Sequence, residues 1–321
     1  MRRILALLAC LAAIALPPDR AVALDYPNRT VRVITPFSAG GPPDVLMRVV
    51  AQKLSETWGQ AVIVENRPGG NTLMGAVAVT RSEPDGYTLL LTGIQTFILN
   101  PLLYSNLPYK MSELDPIILM ASIPHMLAVA NKVPVTNVKE LIALAKAKPA
   151  TLLYGSTGPG SIQRLAAEYF AGIAGIKLIH VPYKGGNETV AAILTGEIDM
   201  TINGAPNILP HIAGGQLKAL AVSTITRNAM APDIPTMQEA GVPGYSSQDR
   251  FGLLAPAGTP ANIKDKIQHD IAEILLRPDV KAALQAENFI IEPGDTSFAE
   301  VISAETAKWG DVIKRLNIQL D

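Results

Sequence analysis

Twice along the chain, about 120 residues apart, a short β-branched run ends in a glycine-rich loop that opens directly into a segment of helical period. The first copy joins a strand at Val31 to Thr35, the loop Pro36-Phe37-Ser38-Ala39-Gly40-Gly41-Pro42-Pro43 and a helix from about Asp44 to Thr57. The second joins a strand at Thr151 to Tyr154, the loop Gly155-Ser156-Thr157-Gly158-Pro159-Gly160 and a helix from Ser161 to about Ile173. Strands alternating with helices predict an α/β chain with largely parallel sheets, here in two similar halves. A length of 321 residues fits two domains, each large enough for its own core.

Further strands are expected at Ala61 to Glu65, Tyr87 to Leu91, Met126 to Ala130, Lys177 to His180, Ile198 to Ile202, Lys218 to Val222 and Phe251 to Ala255. Helical stripes follow, one through Ile263, Ile267, Ile271, Ile274 and Leu275, and one through Phe298, Val301, Ile302, Trp309, Val312, Ile313 and Leu316. Both read as core-facing. Hinges between the halves are expected near Ser122 to Met126 and near Gln248 to Phe251.

The two loop-to-helix junctions carry the chemistry. A helix's first turn leaves backbone N–H groups unpaired at the positive end of the helix dipole, so an anion can bind there without any lysine or arginine. Glycine lets the backbone come close, and Ser38, Ser156, Thr157 and Ser161 add short hydroxyl donors. One such junction per half, facing the other across a cleft, makes a two-sided anion site.

Composition excludes several other classes. With 27 Lys+Arg against 28 Asp+Glu and no basic block, the chain lacks the cationic excess of a nucleic-acid binder. Its opening, MRRILALLACLAAIALPPDRAVALDYP, orders two arginines, an apolar run from Ile4 to Leu16 and a small-x-small site at Ala21-Val22-Ala23. That is the order of a secretory signal cleaved after Ala23, and the apolar run is too short for a stable membrane span. Its removal takes away Arg2, Arg3, Arg20 and Asp19 and leaves a net charge of about −3 on an exported chain. Cys10 leaves with the signal, so no disulfide or thiol nucleophile is expected. A lipid-anchor role for Cys10 would leave almost no hydrophobic run for export.

There is no Gly-x-Ser-x-Gly elbow and no His-Glu-x-x-His, and His125, His180, His211 and His269 have no metal-ligand spacing. No cofactor and no catalytic residue are expected. The spacing Gly155-x-x-Gly158-x-Gly160 is not that of a dinucleotide fingerprint, and no ribose-binding acid ends the next strand. A purely structural turn remains the alternative for either loop alone.

In order along the chain, Tyr26-Pro27, Pro36-Phe37-Ser38-Ala39-Gly40-Gly41-x-x-Asp44, Glu65-Asn66-Arg67-Pro68-Gly69-Gly70, Pro84-Asp85-Gly86-Tyr87, Tyr154-Gly155-Ser156-x-Gly158-x-Gly160-Ser161, Val181-Pro182-Tyr183-Lys184-Gly185 and Ala255-Pro256-Ala257-Gly258-Thr259-Pro260 closely resemble the Bug family, the periplasmic receptors of tripartite tricarboxylate transporters. The resemblance runs from Tyr26 almost to Ile318. It implies an α/β, two-lobed periplasmic binding protein fold (type II-like), each lobe a mostly parallel sheet flanked by helices, with two interlobe crossovers. Lobe 1 would be residues 24–123 and 250–295, lobe 2 residues 124–249, and residues 296–321 a C-terminal helix near their junction, after a signal peptide at 1–23.

The resemblance also implies a monomeric periplasmic receptor for a small organic carboxylate, serving membrane subunits of such a transporter. Carried over by position, its site comprises Phe37, Ser38, Ala39, Gly40, Gly41 and Asp44, with Gln95 and Thr96 closing the first side. Ser156, Thr157, Gly158 and Ser161 form the second side, with Tyr183 and Asn203 on the wall. Three departures stand out: Pro42-Pro43 where Gly, Ser or Thr is usual, Arg164 for a common histidine, and Arg250 for a common tryptophan. Each proline removes an amide donor, and either guanidinium could hold a second ligand carboxylate. An exported enzyme acting on a carboxylate, or a ligand sensor for a membrane signalling partner, are the competing readings.

Overall fold

The computed structural model describes residues 25–292 and 297–320. The expected signal segment, Met1 to Ala23 with Cys10, lies outside the described residues. Strand β1 (Val31–Thr35) is bordered in parallel by β2 (Val62–Asn66) and β3 (Thr88–Gly93). Helix α1 (Pro42–Trp58) connects β1 to β2, and α2 (Leu73–Thr80) connects β2 to β3. Leu46, Met47, Val50 and Leu54 lie one turn apart on α1, and all four are buried against the sheet. After β3, a π-helical turn at Gln95–Leu99 runs into the short α3 (Asn100–Leu103).

The chain then leaves this lobe along one strand of 17 residues, β4 (Leu114–Ala130). Up to Pro124, β4 pairs antiparallel with β9 (Gln248–Pro256), which also borders β3. From His125 onward it pairs antiparallel with β7 (Met200–Gly204) and β8 (Leu217–Val222) of the second lobe. The rest of that lobe is α4 (Val138–Ala147), β5 (Leu153–Ser156), α5 (Ile162–Ala174), β6 (Ile179–Pro182), α6 (Gly186–Thr195) and α7 (Ala205–Ala213). β5 is flanked in parallel by β6 and β7. The strand order is β2-β1-β3-β9-β4-β7-β5-β6, with β8 also on β4. The expected parallel strands thus form the outer part of each lobe. The crossing strands run antiparallel to them, which makes each sheet mixed.

Two differences from the sequence expectation have physical causes. β4 begins well before Met126, because Pro116 and Pro124 interrupt the sequence pattern while the strand absorbs the first by shifting register between Pro116 and Ile118. Ser122 to Met126 and Gln248 to Phe251, expected as hinges, lie inside uninterrupted strands at the point where β4 exchanges β9 for β7.

After β9 come α8 (Ala261–Leu276), α9 (Pro278–Ala286), the two-residue β10 (Ile290–Ile291) paired with β4, and α10 (Phe298–Leu316). Helix α10 bridges the lobes. Phe298 meets Phe97 edge to face at 5.2 Å and covers Gly252, where any β-carbon would strike its ring. Trp309, fully buried, packs at 6.0 Å on Tyr169 of α5. No helix among the described residues is long and apolar enough to cross a membrane.

Candidate functional site between the lobes

A cleft of about 640 Å³ opens where the two loop-to-helix junctions approach each other. On the second lobe it is lined by Thr157 to Gln163, the loop after β5 and the first turn of α5. Ser161 caps α5: its Oγ accepts from Arg164 N at 3.3 Å and donates to Gly158 O at 2.8 Å. Gly158, at φ 122°, makes a turn that a side chain would strain. Ser156 Oγ donates to Gly158 O and contacts His180 Nε2 at 2.6 Å, which fixes the loop from behind. The amides of Thr157, Ile162 and Gln163 have no acceptor within the described chain, so they point donors at the cleft.

The first lobe presents a different face. Asp44, with its side chain only 2% exposed, accepts from Gly40 N at 2.9 Å, Asn66 Nδ2 at 2.8 Å and Arg48 Nε at 2.8 Å. Burial would raise its carboxyl, but these hydrogen bonds outweigh burial and hold it below the ordinary carboxylate range. Gly41 N bonds Ser38 O at 3.3 Å, and Pro42 and Pro43 have no N–H to offer. This junction contributes a wall of Phe37, Pro42 and Pro43 to the cleft. Asp44 occupies the Gly40 amide, one of the donors expected on this side.

Behind that wall, Thr72, Thr92, Thr96 and Asn100 form a buried hydrogen-bonded group that positions Gln95 and Asn71 at the rim. On the floor, Asn203 is 1% exposed. Its Oδ1 accepts from Gly204 N and Asn207 Nδ2, while its Nδ2 is buried without a partner.

These elements have known counterparts. The description "Tripartite tricarboxylate transporter family receptor" matches residues 46–318. The chain belongs to that family. The receptor is 33% identical over 325 residues to protein BugT of Bordetella pertussis, covering 100% of this chain and 99% of that one. Its fold is similar to the solved R. palustris Rpa4515 with adipate, at TM-score 0.81 and 32% identity over 92% of this chain and 99% of that chain. It is also similar to MatC of Rhodopseudomonas palustris with bound malate, at TM-score 0.76 and 27% identity over 90% of this chain and 100% of that chain.

In the receptor, Phe37, Gln95, Thr157, Gly158, Ser161 and Asn203 from the sequence-based set line the cleft. Nine others lie off its lining. Ser38, Ala39 and Gly40 are exposed beside the rim, and Gly41 and Asp44 complete their turn. Thr96 is buried in the threonine group, and Ser156 sits behind its loop. Tyr183 donates instead to Glu197 at 2.9 Å. Arg250 pairs with Glu292 at 3.1 Å and Glu305 at 3.7 Å and does not line the cleft. Arg164 Nη1 likewise donates to Pro159 O at 3.0 Å, from behind the loop.

Among the described residues, no lysine or arginine lines the cleft, and its one charged group is Asp249. Sequence reasoning missed Asp249 because nothing in its surroundings marks it as different from a solvated acid. The signal was strand alternation: Asp249 and Phe251 are two apart on β9 and both face the cleft, whereas Arg250 between them faces away.

Proposed function

We propose that the receptor captures a small organic carboxylate in this cleft and presents it to membrane subunits of a tripartite tricarboxylate-type transporter. The observation that carries this reading is the row of unpaired amides at the start of α5, facing a cleft whose floor holds an unpartnered buried amide donor at Asn203. A carboxylate accepts several charge-assisted hydrogen bonds there at the positive end of the helix, with no cationic side chain required. The adipate and malate of the two solved relatives support the ligand class. A volume of about 640 Å³ suits a small acid with its ordered water.

The ligand site in this reading comprises Thr157, Gly158, Ser161 and Asn203 with the amides of Ile162 and Gln163, closed by Phe37 and Gln95. The lobes are residues 24–123 with 250–295 and residues 124–249, a division supported by the change of β4 partners at Pro124 and His125. The chain acts as a periplasmic monomer after loss of its first 23 residues and releases its ligand unchanged. Thermal-shift titration over carboxylates and their neutral amides tests the ligand class, with expected dissociation constants of about 1 μM, near −8 kcal/mol. Stabilisation by neutral amides alone, or recovery of a converted acid, overturns the reading.

A further inference from the structure

One carboxylate lines a cleft expected to hold an anion. Asp249 is the second residue of β9, the second crossing strand, and its side chain is 24% exposed on the cleft floor. Its Oδ2 lies 3.2 Å from Nε2 of His125, a fully buried ring whose Nδ1 lies 2.7 Å from Ser247 Oγ. Ser223 closes the group by accepting from His125 N and donating to Ser247 O. Asp249 is therefore fixed by a buried side chain of the neighbouring crossing strand. Its Oδ1 has no partner in the described chain.

Across β4 stands the opposite kind of group. Asp249 is opposite Ile123 and Gly204 is opposite His125, so Asp249 and Asn203 flank the same short stretch of β4. Asn203 Nδ2 offers a donor without an acceptor, and Asp249 Oδ1 an acceptor without a donor. The floor is thus polar in both senses, and among the described residues the only charged side chain lining the cleft is Asp249.

A ligand with carboxylates at both ends that reaches from the α5 amides to this floor brings one of them beside Asp249, where like charges repel and no arginine or lysine among the described lining residues compensates. A ligand with a protonated amine at that position gains a charge-assisted hydrogen bond to Oδ1 instead. We infer that the receptor's ligand is an amino acid in the broad sense, a carboxylate held by the α5 amides and an ammonium held by Asp249, rather than a di- or tricarboxylate. The inference rests on the carboxylate reading above and narrows it.

The test is a calorimetric comparison, at pH 7 and fixed salt, of hexanoate, adipate and the two aminohexanoates with the amine next to the carboxylate or at the far end. The same set is run on wild type and on Asp249→Asn, with melting curves of both ligand-free proteins to confirm folding. The expected result is that one aminohexanoate binds wild type at least about tenfold more tightly than adipate, and that the variant reduces this ratio by about tenfold to a hundredfold. Adipate binding wild type as tightly as either amino acid overturns the inference and leaves the carboxylate reading in place. A variant with an unchanged ratio overturns it as well. Should none of the four acids bind wild type, the carboxylate reading fails and the inference falls with it.

Discussion

Replacing Asp44 by alanine leaves the half-buried Asn66 Nδ2, the Gly40 amide and the Arg48 guanidinium without their shared acceptor, although the last two can turn to water. The expected cost is about 1–2 kcal/mol, read as a lower urea midpoint. Because the folded carboxyl titrates below its ordinary value, this contribution is complete above pH about 4 and is lost as pH falls through the lowered folded value. His180 adds an earlier loss. Burial, then the positive charge of Arg164, lowers its pKa to about 4. A histidine kept neutral in the fold stabilises above its unfolded value near 6.5, and that stability declines between pH about 6.5 and about 4. Urea melts at pH 7, 5.5 and 4.5 should show the decline in wild type and a flatter profile in His180→Gln; parallel profiles would rule it out. Asp44 was legible in the sequence as a member of the first-loop site. Its capture of the Gly40 amide was not, since a one-dimensional pattern does not show which donor a side chain satisfies.

Among elements, the clearest match is β1, whose five residues are those expected from the β-branched run. Helix α5 also begins as expected, with Ser161 as its cap, whereas α1 starts at Pro42, two residues before the expected Asp44. Helix α5 presents the free amides, so its cap is the element-level control. Ser161→Ala removes the bond to Arg164 N and the tie to Gly158 O. A stability loss of about 1 kcal/mol and weaker carboxylate binding are expected, and unchanged binding would count against α5 as the anchor. The π-helical turn at Gln95–Leu99 had no legible signal, since an i→i+5 turn within an apolar segment shares its composition with an ordinary helix. The asymmetry of the two junctions was half-legible. Both prolines were visible, but the rest of the difference comes from a side chain folding back on its own loop.

Over the whole molecule, α10 touches both lobes, and the hydrophobic cluster around Trp309 joins Leu90 and Leu254 of one lobe to Ile162 and Leu165 of the other. Trp309→Ala opens a large hole at this shared seam, with an expected cost of about 3–5 kcal/mol. If the seam couples the lobes, the variant's melt broadens or splits in calorimetry, while wild type melts in one transition. The two halves of the chain were readable as similar units; their dependence on a common helix was not, because its apolar stripe does not say which partners it covers. The uninterrupted course of β4 and β9 has a mechanical consequence. With no loop between the halves at either crossing, opening and closing must be taken up by torsion spread along paired strands, whose register shifts at Leu119 to Ala121 and at Leu127 to Ala128 flank the crossing of β4, so the molecule behaves as a leaf spring and not as a door on a pin. Paired spin labels on cysteines introduced at Gln52 and Lys146 should accordingly report one broad, continuous spread of separations without ligand, and two sharp populations would contradict that elasticity.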